Sequence, residues 1–201
     1  MTETAKCFPP VYDKNSKVLL LGTIPSRGSV KHGFYYMGAG NAFWELLSYS
    51  LDFDFSSLAA AVKGADEKTA KTAKERLIAA LYANNIALYD TIGEGIRHGS
   101  RDDQIDKSVL QQGEDILKII KNSSVRKIFC TSAQALNNLY KIFGGKVKAE
   151  EILRREMGLS DNLIPCEKIL SPSATAIMYG QVTNEMRKKD WEKLRQAISK
   201  E

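Results

Sequence analysis

With 201 residues, 43% of them hydrophobic and 26% charged, the chain is long enough to bury a substantial core without cross-links and ordinary enough in composition for a globular protein. Its apolar runs fall far short of the ~18 residues a membrane span needs. The length predicts one domain over residues 1–201, expected to be a monomer, and Met1-Thr2-Glu3-Thr4-Ala5-Lys6 leads into no apolar signal core, so the expected location is cytoplasmic. The net charge of +5 permits a polyanionic partner without requiring one.

Val18 to Leu21, four apolar residues between Lys17 and Gly22, predict a strand covered on both faces. Gly22-Thr23-Ile24-Pro25-Ser26 is a turn at its carboxyl end, where open α/β sheets bind ligands. A polar-aromatic loop continues through Tyr35, Tyr36, Gly38 and Gly40, and an amphipathic helix opens at Asn41, with Phe43, Trp44, Leu46 and Leu47 on its apolar side. Ala59 to Lys74 is rich in Ala, Lys and Thr. Its break at Lys63-Gly64-Ala65-Asp66 predicts two helices meeting at a turn, the second running from Asp66 to Ala83. Ile86 to Tyr89 is a short strand, and a polar loop follows from Gly93 to Asp106.

Ile116, Leu117, Ile119 and Ile120 mark a helix that Asn122-Ser123-Ser124 ends. Val125 to Thr131 is a third strand, Ser132 caps a helix running to Phe143, and Gly144-Gly145 stops it. Lys168 to Leu170 is a fourth, shorter strand. The last helix carries Trp191, Leu194 and Ile198 on one face and Arg187, Lys188 and Lys189 near its start. Strands alternating with helices predict a parallel sheet with helices on both sides, although periodicity leaves the strand order open. Cys7, Cys130 and Cys166 are far apart, odd in number and without a CxxC spacing, which argues for reduced thiols and against a zinc site. No G-x-S-x-G elbow, G-x-G-x-x-G or P-loop is present, so hydrolase and nucleotide-binding folds built on those motifs rank low.

Three ordered blocks carry a family resemblance. Gly22-Thr23-Ile24-Pro25-Ser26, Tyr35-Tyr36 and Asn41-Ala42-Phe43-Trp44 resemble the first motif of the uracil-DNA glycosylase superfamily, most nearly its hypoxanthine-DNA glycosylase branch. In that branch a strand ends in Gly-Ser-Phe-Pro-Ser, then Tyr-Tyr, then Asn-x-Phe-Trp. Ile86 to Ile92, followed by Arg97-His98-Gly99-Ser100 and Asp102, resembles the second strand and its Arg-x-Gly-Ser loop, and Leu170-Ser171-Pro172-Ser173-Ala174 resembles the late Ser-Pro-rich loop. The resemblance implies an α/β fold, a three-layer α/β/α sandwich around a central four-stranded parallel sheet. It implies a monofunctional DNA glycosylase of base-excision repair, acting on hypoxanthine ahead of uracil or xanthine, everted from double- or single-stranded DNA. No metal or other cofactor is implied. The iron–sulfur cluster of other branches needs four cysteines, one more than the chain has.

Asn41 is the candidate catalytic residue, since a neutral amide orients a water toward the anomeric carbon and donates to the departing base. Asn is also a favoured helix cap, and the two roles are compatible if the oxygen caps while the nitrogen reaches the cleft. Gly22, Thr23, Ile24, Pro25, Tyr35, Tyr36 and Thr131 are candidates for holding the base. One tyrosine is a stacking wall, and which of the two is left open; a pair of core-packing tyrosines is an equal alternative. Other branches place a catalytic Asn or Asp in the first turn, where this chain has Thr23 and Ile24. After strand three the branch commonly has Asn-Gly, where this chain has Thr131-Ser132. Ser26, Arg97, Ser100, Ser171, Ser173 and Ala174 are candidate DNA contacts, with Ala174, Ile177 or Met178 as a minor-groove wedge; ordinary turns and a bracing Arg–Asp pair are the alternatives. His32 and His98 are expected at the solvated surface. The alternative function is a nucleic-acid-binding or lesion-sensing protein that kept the fold without the catalysis.

Overall fold

A computed structural model describes residues 3–97, 105–109, 113–178 and 182–199. In chain order the elements are β1 Glu3–Lys6, β2 Val18–Gly22, α1 Arg27–His32, α2 Phe43–Leu51, α3 Phe55–Gly64, α4 Glu67–Ala83, β3 Ile86–Asp90, β4 Glu94–Arg97, β5 Ile105–Val109, α5 Gly113–Lys121, β6 Lys127–Cys130, α6 Ala133–Ile142, α7 Lys146–Met157, β7 Cys166–Lys168, α8 Ala174–Met178 and α9 Asn184–Ser199.

The central sheet has the order β3-β2-β6-β7, every pair parallel. β2 lies inside it and all five of its residues are buried, as a strand covered on both faces requires. Its side chains alternate. Val18 and Leu20 pack with Phe43, Leu47, Phe55, Leu77 and Trp191 in the core beneath α2, α3, α4 and α9, while Leu19 and Leu21 pack with Ile116, Ile119, Leu139 and Leu153 beneath α5, α6 and α7. That alternation makes three layers, helices on sheet on helices. The helix breaks follow their caps: Asp54, Asp66 and Ser132 accept from the backbone N–H groups of Ser57, Thr69 and Ala135 at 3.0, 2.8 and 3.0 Å.

Several elements depart from the sequence expectation. The polar loop from Gly93 contains β4 and leads to β5, and with β1 these form an antiparallel sheet of order β1-β4-β5. The loop after Ser26 begins as α1, capped by the Ser26 hydroxyl, which accepts from Ser29 N at 3.1 Å. α7 is an additional helix that buries Ala149, Leu153 and Met157 along one stripe. The fourth strand lies two residues earlier than expected, at Cys166–Lys168. α2 begins at Phe43 rather than at Asn41. Among the described residues no helix is long and apolar enough to cross a membrane.

Candidate active site

The carboxyl ends of β2, β3 and β6 open onto a cleft of ≈ 500 Å³. Its walls come from the first turn (Gly22 to Ser26), the two tyrosines, Asn41, the β6–α6 turn and the Ser171–Ser173 loop, with Asp90 contributing from β3. The volume lies within the ~300–1,000 Å³ usual for small-molecule sites. Parallel strands explain the gathering, because every loop that follows a strand emerges at the same edge of the sheet.

Gly22 closes β2 directly opposite Asp90, which closes β3. A Cβ on Gly22 would stand 2.3 Å from Asp90 Oδ1 and 2.8 Å from the Tyr36 hydroxyl, so the approach of both side chains requires glycine. The Gly22 carbonyl accepts from Thr91 N at 3.0 Å and from Thr91 Oγ1 at 3.1 Å. Asn138 Nδ2 donates to that Thr91 hydroxyl at 3.1 Å, and Gln134 Nε2 to Asn138 Oδ1 at 2.6 Å. The relay ties α6 to the end of β2. Thr23 is buried at the strand end, and Ile24 packs with Ala5 and Ile92 under the small antiparallel sheet.

The two tyrosines separate. Tyr35 is buried, and its hydroxyl donates to the carbonyls of Phe8 and Pro9 at 3.0 and 3.2 Å. Burial first, then the charge of Asp90, hold this phenol well above its ordinary pKa. Tyr36 is half-buried and stacks on Phe43 with ring centroids 3.7 Å apart and planes 2° from parallel. Its hydroxyl lies 3.3 Å from Thr131 Oγ1, and Thr131 Oγ1 donates to the Leu21 carbonyl at 3.2 Å. Phe43 and Trp44 are core, as expected.

Asn41 stands just ahead of α2. Its Oδ1 accepts from Phe43 N at 2.9 Å, and its backbone N–H donates to the Gly38 carbonyl at 3.2 Å. The carboxamide oxygen caps the helix without Asn41 occupying the cap position, which Ala42 fills. Its amide nitrogen has no partner among the described residues, and the residue lines the cleft.

The Ser171–Ser173 loop is held from two sides. Ala42 N donates to the Pro172 carbonyl at 2.9 Å, joining it to the Asn41 segment. From α9, the Trp191 indole donates to the Leu170 carbonyl at 2.8 Å, Asp190 Oδ2 accepts from Leu170 N at 2.7 Å, and an Arg187 Nη2–H donates to the Ser173 carbonyl. Arg187 is buried and its Nε has no partner among the described residues; burial lowers its guanidinium pKa.

Ser26, Ser171 and Ser173 line the cleft, while Ala174 begins the short helix α8, whose Ile177 and Met178 are exposed, Met178 to 73%. Arg97 ends β4, whereas His98, Ser100 and Asp102 lie outside the described residues. His32 sits in the last turn of α1. Sequence reasoning assigned no role to Asp90, Gln134 or Asn137, all cleft residues. Asp90 directly follows the expected strand Ile86 to Tyr89, but its place opposite Gly22 is strand register. Among the described residues no group of three or more His, Cys, Asp or Glu could hold a metal ion.

Comparison with known proteins addresses the family and the fold. The family model of the uracil DNA glycosylase superfamily matches residues 9–195. The hypoxanthine DNA glycosylase of Methanosarcina acetivorans is 28% identical over 159 residues, 79% of this chain and 82% of that protein. Its namesake from Methanosarcina barkeri strain Fusaro is 28% identical over 158 residues, 78% of this chain and 82% of its own length. A protein from Methanosarcina acetivorans, solved by NMR and named as a candidate uracil DNA glycosylase, superposes with a TM-score of 0.65 at 22% identity. That superposition covers 97% of this chain and 99% of the other. The match across residues 9–195 places the chain in a family: it belongs to the uracil DNA glycosylase superfamily.

Proposed function

We infer that this chain, working as one domain and as a monomer in the cytoplasm, is a monofunctional DNA glycosylase that removes a deaminated base, hypoxanthine ahead of uracil or xanthine, from damaged DNA. The observation that carries the reading is the placement of the Asn41 amide and the Tyr36 ring on one cleft sized for a single everted base. Family membership supplies the reaction class, and the hypoxanthine preference follows the names of the two curated relatives.

In the reaction, the C1′–N bond breaks with its electron pair going to the base, and a water oxygen adds at C1′. The proton released by the water ends on the base or in solvent. Asn41 donates from Nδ2 to the base as negative charge develops on it. Phe43 N occupies one lone pair of Oδ1, and the remaining one orients the water. Tyr36, stacked on Phe43 and lining the cleft, is the aromatic wall for the base, and stacking of this kind contributes about 1–3 kcal/mol. Flipping costs a few kcal/mol, least for a mispaired base, which adds selectivity. Ser171 and Ser173 hold a backbone phosphate through their hydroxyls, the Ser171 hydroxyl being oriented by the Ser173 N–H that donates to it at 3.2 Å. Arg97 and Ser100 are proposed as further DNA contacts, and Ala174, Ile177 or Met178 enters the minor groove.

The test is a panel of labelled oligonucleotides, single- and double-stranded, each with one altered base, incubated with protein and then cleaved with alkali. The expected result is an abasic site at hypoxanthine. Asn41→Ala should slow single-turnover excision at least ~10²-fold with folding largely intact. A variant within a few-fold of wild type removes Asn41 from the mechanism. Tight binding to damaged DNA with no abasic product on any substrate replaces the enzyme with a lesion-sensing protein.

A further inference from the structure

Arg187 is a buried cation to which the mechanism above gives no part. It is 1% exposed, its Nε has no partner among the described residues, and its one hydrogen-bond acceptor there is the Ser173 carbonyl. Asp190, one turn further along α9, is engaged by Lys193 Nζ at 2.6 Å and by Leu170 N at 2.7 Å. A buried charge without a counter-ion is costly, so a fold that keeps one points to an anion supplied from outside.

The guanidinium stands behind one wall of the cleft. The Ser173 carbonyl to which it donates also accepts from Ala176 N at 3.2 Å, where α8 starts. The same stretch of chain lends Ser171, Ser173 and Thr175 to the cleft. The Ser171 hydroxyl accepts from Ser173 N at 3.2 Å, and the Ser173 and Thr175 hydroxyls pair at 2.8 Å. Hydroxyls donate well to a phosphate, but they are neutral. Among the described residues that line the cleft there is no Lys, Arg or His, and Asp90 adds an acidic group. The wall therefore offers a polyanion only neutral donors, and the positive charge lies behind it. Charges act on one another more strongly through protein than through water, and salt screens a buried charge less.

We propose that Arg187 is a positioning residue for DNA, its buried guanidinium supplying, through the Ser171–Ser173 loop, the counter-charge of the backbone phosphate that the serine hydroxyls bind. The inference rests on the phosphate contact assigned to Ser171 and Ser173 above. It makes the charge of the side chain, and not only its hydrogen bond to Ser173, the property that DNA uses. Arginine suits the place because it keeps its proton when buried and is more weakly hydrated than lysine.

The experiment is a cycle between protein charge and phosphate charge. Duplexes carry tetrahydrofuran, an uncleavable abasic-site analogue, and one flanking phosphate at a time is replaced by an uncharged methylphosphonate. Fluorescence anisotropy reads the affinity of wild type, Arg187→Gln, Arg187→Met and Arg187→Lys after circular dichroism has checked their folding. Wild type should lose at least ~10-fold in affinity at one phosphate. Arg187→Gln keeps a donor for the Ser173 carbonyl but no charge, and its loss at that phosphate should shrink to about twofold. Arg187→Met should match it, and Arg187→Lys should keep most of the wild-type sensitivity. A glutamine variant as sensitive as wild type overturns the proposal and makes Arg187 a brace for the loop. If one neutral variant does not fold, the other decides, and wild-type sensitivity there overturns it equally. Wild type indifferent to every methylphosphonate sinks the proposal along with the serine phosphate contact, and leaves the glycosylase standing. Binding needs no excision, so a wild type that shows the cycle but excises no altered base keeps the proposal and loses the enzyme.

Discussion

Tyr36 is held with φ at 56°, a left-handed conformation that an aromatic residue adopts only when its surroundings impose it. The stack on Phe43 and the contact with Thr131 provide that restraint. The conformation costs roughly 1–2 kcal/mol for a residue with a Cβ and nothing for glycine. Tyr36→Gly and Tyr36→Ala both remove the ring, but only alanine keeps the strain. Thermal unfolding should therefore find Tyr36→Ala less stable than Tyr36→Gly by about 1 kcal/mol, against the ordinary order of the two residues. Equal stability would mean that the backbone relaxes once the ring is gone. The tyrosine pair shows how far single residues were legible. Two adjacent tyrosines are alike in sequence, yet the first is buried with its hydroxyl bonded to the Phe8 and Pro9 carbonyls, and the second is half-buried against Phe43. Asp90 was illegible for a related reason, since its place over Gly22 comes from strand register, which no local pattern encodes.

At the scale of elements, the loop between β7 and α8 owes its position to α9. Arg187 is buried without a carboxylate partner among the described ion pairs and spends one N–H on the Ser173 carbonyl. Replacing a buried cation with an apolar residue of similar volume is often neutral for global stability, because desolvation opposes the gain from its contacts. Arg187→Met should therefore leave the melting temperature nearly unchanged while loosening the loop. Hydrogen exchange by mass spectrometry should show about tenfold faster exchange in a peptide spanning Leu170 to Thr175, the effect of losing one hydrogen bond worth ~1–1.5 kcal/mol. Arg187→Lys, which keeps a donor, should recover part of the protection. Unchanged exchange in the methionine variant would assign the loop's position to Asp190, Trp191 and the Ala42–Pro172 hydrogen bond. Most helices were legible from a periodic apolar face, and β2, β3 and β6 from short continuous apolar runs. Two of the elements that were missed lack either signal. α1 has six residues with only Ser29 buried, and β4 brings Ile96 to the surface while pairing with a strand some ninety residues away in sequence. α7 did carry a signal, Ala149, Leu153 and Met157 at intervals of four, within a segment otherwise rich in charge.

For the whole molecule, the layers were foreseen from alternating strands and helices, but the order β3-β2-β6-β7 was not, because it depends on which buried strands meet across the sheet. The result places Cys130 on inner strand β6 and Cys166 on edge strand β7, both fully covered by the helices of one face. Burial raises the Cys130 thiol well above its ordinary pKa and pushes Cys166 up to about 11. Both stay protonated and shielded near pH 8, where the thiolate is the reactive form. Cys7 is only partly covered, with its Sγ 3.9 Å from the Tyr89 hydroxyl. Titration of the native protein with a thiol reagent at pH 8 should therefore modify one cysteine per chain, Cys7. Cys130 should react at least ~10³-fold more slowly, in step with global unfolding of a domain stable by ~5–15 kcal/mol. Rising denaturant should bring the Cys130 and Cys166 rates together, since both require the helical layer over them to open. Fast labelling of Cys166 alone would instead show β7 detaching by itself, and the Ser171–Ser173 side of the cleft would move with it.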